Sequence, residues 1–223
     1  MLTIKAYRLG KMFGIPMYVD MSFLFIAVLA LFSLGNPFMG VFVAAGLGMS
    51  IMAHEFGHSL TARKYGFRTQ KITLSMLGGC AEMEGIPKIP KQEIAVALAG
   101  PGISFVLFFG FTCAAFMSAF VQPVAVVFLY LSVINAILCL FNLFPGFPMD
   151  GGRVLRAWLS RKRTRPEATR IAMNIGRVFA VLLACWGIYN VLSGNFGGVT
   201  SLLISWFIWR AGWQEYMMSL YGG

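Results

Sequence analysis

The chain is short of charge. Aspartate and glutamate together number 8, lysine and arginine 18, and charged residues fill 12% of its 223 positions. A soluble domain carries about 25%. Hydrophobic residues make up 58% and the mean hydropathy is +0.76, so the deficit excludes a soluble enzyme and points to a multi-pass membrane protein. From Ile94 to Met149 there is no charged residue at all. Histidine is scarcer still, with two in the chain, His54 and His58. The four cysteines, Cys80, Cys113, Cys139 and Cys185, are scattered and form no C-x-x-C pair. That excludes a thiolate zinc cluster and a disulfide framework, and they read as small buried hydrophobes. The start Met1-Leu-Thr-Ile-Lys5 continues basic to Lys11 without a small-residue cleavage site, so no cleaved signal peptide is expected.

The net charge of +10 raises the question of nucleic acid. Its distribution answers it. Basic residues gather at Lys5, Arg8 and Lys11, at Arg63 through Lys91, and at Arg153 through Arg177, with only Arg210 beyond. Clusters between apolar stretches are what the positive-inside rule places in cytoplasmic loops, where they also meet anionic lipid headgroups. Partners are therefore expected to be the bilayer and membrane-embedded proteins, not nucleic acid.

The apolar stretches number about six, at 19–34, 38–65, 92–120, 124–143, 171–192 and 199–216, each near the length a bilayer demands. With six spans both termini fall on the cytoplasmic side. One stretch differs in kind: Lys71-Ile-Thr-Leu-Ser-Met-Leu77 alternates polar and apolar, a period of two, and Gly78-Gly79 breaks it before Cys80-Ala-Glu-Met-Glu84. A β-hairpin over about 68–84 is predicted, with an edge that can take up an extended substrate. Residues 1–18 read as a short basic, cytoplasmic, interfacial lead, partly extended. The fold class expected is thus an all-α polytopic membrane protein, one domain over 1–223, with a small β element beside the site.

Both histidines fall in Ile51-Met-Ala-His-Glu-Phe-Gly-His-Ser-Leu60. On a helix, i and i+4 share one face. Two imidazoles so spaced can bind one Zn²⁺, and Glu55, between them, can act as general base on a water that the metal has made acidic. Counted back from Arg63, His58 lies about 7 Å and His54 about 14 Å below the basic rim. An ionisable cluster at that depth marks a functional site.

A catalytic zinc takes three protein ligands, and no third histidine exists. Among the eight acids, Glu167 and Glu215 neighbour cytoplasmic segments and read as solvated, and Glu93 sits at a helix start, where it favours the dipole. Asp150 follows the long uncharged stretch, between Pro148 and Gly151-Gly152, and is the first candidate ligand. Asp20 is the second. Asp150 also suits the N-cap of a short helix.

His54-Glu-Phe-Gly-His58 inside a span, with Asn142-Leu-Phe-Pro-Gly-Phe-Pro-Met-Asp-Gly-Gly152 some 90 residues on, resembles the site-2 protease family of intramembrane zinc metalloproteases, and most of all its compact six-span prokaryotic members. Gly78-Gly79 and Ala99-Gly-Pro101 extend the resemblance over nearly the whole chain. It implies Asp150 as the third zinc ligand, Glu55 as catalytic base, and Asn142 as a holder of the substrate carbonyl or developing oxyanion. It implies hydrolysis of peptide bonds in transmembrane proteins within a prokaryotic cell membrane. Neither a PDZ domain nor the CBS domains of some relatives is expected within 1–223. The rival readings are a catalytically inactive scaffold of the same fold, a transporter, and a membrane metalloprotease whose third ligand is a glutamate.

Overall fold

The computed structural model describes residues 6–25, 28, 36–75, 78–85 and 87–221. It contains four strands, β1 (Ala6–Met12), β2 (Ile15–Asp20), β3 (Thr69–Ser75) and β4 (Gly78–Met83), and helices α1 (Pro37–Lys64), α2 (Pro90–Met117), α3 (Gln122–Asn142), α4 (Asp150–Leu159), α5 (Arg165–Leu192) and α6 (Gly197–Tyr221). Among the described residues, four helices, α1, α2, α3 and α5, are long and apolar enough to cross a membrane. Helix α6 covers the last stretch expected to span but is not in that set. The first, at 19–34, is described over half its length: 19–20 end β2 and so are not part of a span, 21–25 are helical, and 26, 27 and 29–34 lie outside the described residues. Two compact units divide the chain, one of Met1–Pro87 with Ala99–Leu140, the other of Lys88–Leu98 with Phe141–Gly223.

In the first unit α1 is the inner element: 50% of its apolar window is buried, against 22–28% for the other three candidates. It starts where Asn36 Oδ1 accepts the Phe38 N–H at 3.0 Å, with Pro37 in the first turn, and ends on Arg63 and Lys64, whose positive charges suit the negative end of the dipole. The predicted hairpin forms as β3 and β4, antiparallel, with Lys71 paired to Glu82 both in register and by a 3.0 Å ion pair. Ile72 and Leu74, one face of β3, are buried with Ile15, Phe23, Ile51, Met52 and Phe56. The period of two therefore has a cause: alternate β3 side chains fill the space beside α1.

The lead is extended where it is described: residues 6–20 supply β1 and β2, giving a four-stranded sheet in the order β1-β2-β3-β4, with β2 parallel to β3. The β1–β2 connection is Phe13-Gly14, both at positive φ (52° and 85°), as a two-residue hairpin turn requires. Phenylalanine is costly in that conformation. Its position is held from outside: the Phe13 ring meets Phe56 edge-on at 5.5 Å, and Arg63 Nη1 donates to Phe13 O at 2.8 Å.

In the second unit, α4 is a short helix within the basic segment between the spans, as the sequence allows. Glu215 is not solvated: its side chain is 13% exposed and pairs with Arg156. Glu93, 3% exposed, pairs with Arg156 and Arg165. Of the cysteines, only Cys139 is buried.

Candidate metal centre

Helix α1 brings His54 and His58 one turn apart, 3% and 4% exposed. Their Nε2 atoms face each other at 3.1 Å and their rings stand nearly perpendicular, at 79°. Two nitrogens each about 2.0–2.1 Å from one tetrahedral ion stand about 3.3 Å apart. The pair thus already converges as a shared metal requires. His54 Nδ1 lies 2.9 Å from Ser104 Oγ, and Ser104 is fully buried. With Nδ1 protonated and donating to Ser104, the His54 Nε2 lone pair is left to face His58.

The backbone around the pair is shaped by missing side chains. A Cβ on Gly100 of α2 would fall on His58 Nε2 and within 2.7 Å of His54 Nε2. One on Gly57 would stand 2.7 Å from Ala99 O. The Ala99-Gly-Pro101 segment therefore touches the motif helix at van der Waals distance, and α2 runs on through Pro101. On the other side, a Cβ on Gly79 of β4 would fall on the half-buried Glu55 side chain, 2.9 Å from its Oε1. Glu55 is thereby enclosed between α1 and the sheet, on the helix that carries both histidines.

In the second unit Asp150 is the first residue of α4 and is 7% exposed. The N-cap position belongs to Met149, so Asp150 is not the cap residue. Asn142, half-buried, is the last residue of α3. Asp20, the second candidate ligand, ends β2 and accepts the Ser22 N–H at 2.8 Å. The three ligands expected from the sequence, His54, His58 and Asp150, offer two imidazole nitrogens and a carboxylate oxygen. That donor set suits Zn²⁺. Sequence reasoning missed Ser104. The available signal was its place four residues after Gly100, on the same helical face.

Comparison with known proteins agrees with this geometry. The family model described as Peptidase family M50 matches residues 42–127 and 117–183. A putative zinc metalloprotease of Synechocystis is 36% identical over 90% of the chain and 57% of its own length. A zinc metalloprotease of Methanocaldococcus jannaschii is 35% identical over 93% of the chain and 60% of its own. The chain thus spans under two thirds of the length of these curated relatives. Among solved structures, the site-2 protease from Methanocaldococcus jannaschii matches with a TM-score of 0.70 and 34% identity, covering 95% of each chain. With the family model covering more than half of it and relatives above 30% identity along most of its length, the chain belongs to Peptidase family M50, the site-2 protease family.

Proposed function

We propose that the chain is an intramembrane zinc metalloprotease that hydrolyses peptide bonds of transmembrane proteins. The observation that carries this reading is the convergence of His54 and His58 Nε2 at 3.1 Å on an apolar helix of membrane-spanning length, with Glu55 between them. His54, His58 and Asp150 hold the ion. A bound Zn²⁺ supplies a Lewis acid that polarises the scissile carbonyl and makes a water acidic near neutral pH.

The chain's own residues do the rest. Glu55 takes the proton of the attacking water and returns it to the leaving nitrogen, work worth about 10²–10⁴-fold in rate. Asn142 donates an amide N–H to the carbonyl oxygen as it gains charge. A helical substrate conceals its peptide bonds and must be unwound first. Strand β4, paired with β3 on one side, offers its other edge to the opened segment, so that backbone hydrogen bonds replace those lost on unwinding.

The 1–223 chain acts as one membrane-embedded unit with six spans, the two beyond the four apolar helices being the apolar stretch that follows β2 and α6. Both termini are cytoplasmic, which the charge clusters support.

The test is zinc content together with cleavage of a model transmembrane substrate, for wild type beside Glu55→Ala. Zinc retained and cleavage lost is expected. Cleavage surviving in the variant overturns the role of Glu55. Zinc bound by both proteins with cleavage by neither favours the inactive scaffold.

A further inference from the structure

The most deeply buried charge in the second unit is not in the metal group. Arg156 of α4 is 2% exposed, and its guanidinium lies between two carboxylates from distant parts of the chain. Arg156 Nε donates to Glu93 Oε1 at 2.8 Å and Nη2 stands 2.6 Å from the same oxygen. Arg156 Nη1 donates to Glu215 Oε2 at 3.2 Å. Glu93 is shared: Arg165 Nη1 donates to its Oε2 at 3.0 Å. The first turn of α2 and the late turns of α6 are thus tied to one side chain of α4, and the start of α5 joins them through Glu93.

A buried ion pair is weak evidence for stability, because desolvation offsets much of the attraction. Its geometry is the more informative feature. The face of the same guanidinium lies over the Phe147 ring, 4.8 Å from its centroid. Phe147 is fully buried, its N–H donates to Ala172 O at 3.1 Å, and Gly176 packs against its carbonyl. Phe147 precedes Asp150 by three residues and Arg156 follows it by six. Arg156 therefore grips the chain on both sides of Asp150, the turn before it through the ring and the helix after it through its own backbone. The contact closes a loop of ten residues with Asp150 inside. Glu93, accepting from Nε, sets the plane of the guanidinium and so which face meets Phe147.

We propose that Arg156 is a positioning residue for Asp150, with Glu93 orienting it: the closed loop 147–156 fixes where the Asp150 carboxylate stands. This rests on the reading of Asp150 as the third ligand. Lysine cannot replace it fully, since an ammonium lacks the planar fork and the stacking face.

The experiment measures zinc affinity by chelator competition on the full chain in detergent, with thermal stability and the ligand-field bands of the Co²⁺-loaded chain recorded beside it. The variants are Arg156→Met, Arg156→Lys, Asp150→Ala and, as a control for general destabilisation of the same unit, Arg177→Met. The Arg177 guanidinium lies over Trp209 and Trp213 of α6, at 4.5 and 5.2 Å, and not over Phe147. Arg156→Met should weaken zinc by about 10–100-fold, the usual effect of removing a residue that orients a metal ligand. Arg156→Lys should fall between it and wild type, with the Co²⁺ bands shifted. Arg177→Met should lose stability and keep its zinc affinity within about threefold. Zinc affinity in the two Arg156 variants no lower than in Arg177→Met, while Asp150→Ala loses zinc, overturns the positioning role and leaves Asp150 as ligand. Wild-type affinity in Asp150→Ala overturns both. Should Arg156→Met fail to fold, Arg156→Lys decides by the same comparison.

Discussion

His54 Nδ1 stands 2.9 Å from Ser104 Oγ, a contact fifty residues apart in sequence and wholly buried. It leaves the other nitrogen of the ring to face His58. Ser104→Ala removes the acceptor and frees the imidazole to change tautomer or rotate. Zinc affinity should drop about 10–100-fold, while the chain still folds. Chelator competition measures it, and an unchanged affinity would mean that the ring is held by its packing alone.

Gly100 and Gly102 sit two residues apart on α2 and make opposite predictions. A Cβ on Gly100 falls on the imidazole nitrogens, whereas one on Gly102 meets nothing within 4 Å. Gly100→Ala should therefore abolish zinc binding by displacing His58, a rigid ring that cannot yield as a flexible chain end would. Gly102→Ala should bind zinc as wild type does. Equal zinc content in the two purified variants would contradict the close approach of α2 to the pair.

Gly79 tests Glu55 apart from the metal. The added Cβ of Gly79→Ala would meet the Glu55 side chain and no histidine among its nearest atoms. Zinc should remain, and cleavage should fall by about 100-fold, the scale on which a displacement of about 1 Å acts on a reacting group. A variant that cleaves normally would show that Glu55 works from a position the strand does not define.

How legible these features are in the sequence follows from their physics. The histidine pair can be read because burying two imidazoles and a carboxylate in an apolar stretch is costly unless they bind something. Asp150 can be read because it ends a long uncharged run. Strand β3 shows itself by a period of two, which burial of Ile72 and Leu74 against α1 enforces. Strands β1 and β2 are hidden, since their turn is Phe13-Gly14 where a sequence signal would be Asn-Gly. Its strain is held by Phe56 and Arg63, far away in the chain. Glu215 reads as a solvated acid and Glu93 as one that favours a helix dipole. Their partner Arg156 is 59 and 63 residues distant, so only tertiary packing pairs them. Ser104 is one small polar residue in an apolar helix, and composition gives no way to tell it from a neutral packing serine.

Strand β4 carries the last prediction. It pairs with β3 through Met83, Glu82, Ala81, Cys80, Gly79 and Gly78, and no described strand lies on its other side. Cys80 is exposed on that strand. If the opened substrate adds to this edge, its residues must alternate toward and away from the Cys80 side chain with a period of two. The test uses the Glu55→Ala chain, with Cys113, Cys139 and Cys185 changed to serine, and a model substrate carrying one cysteine moved residue by residue through the cleaved segment. Oxidative crosslinking to Cys80 should peak at alternate substrate positions. A yield that peaks every third or fourth position would show a substrate still helical when it meets the sheet, and an absence of crosslinks along the whole segment would remove β4 from the binding path. Alternation would also fix the strand direction, because the crosslinked position nearest the cleaved bond sets which way the segment runs past Glu55.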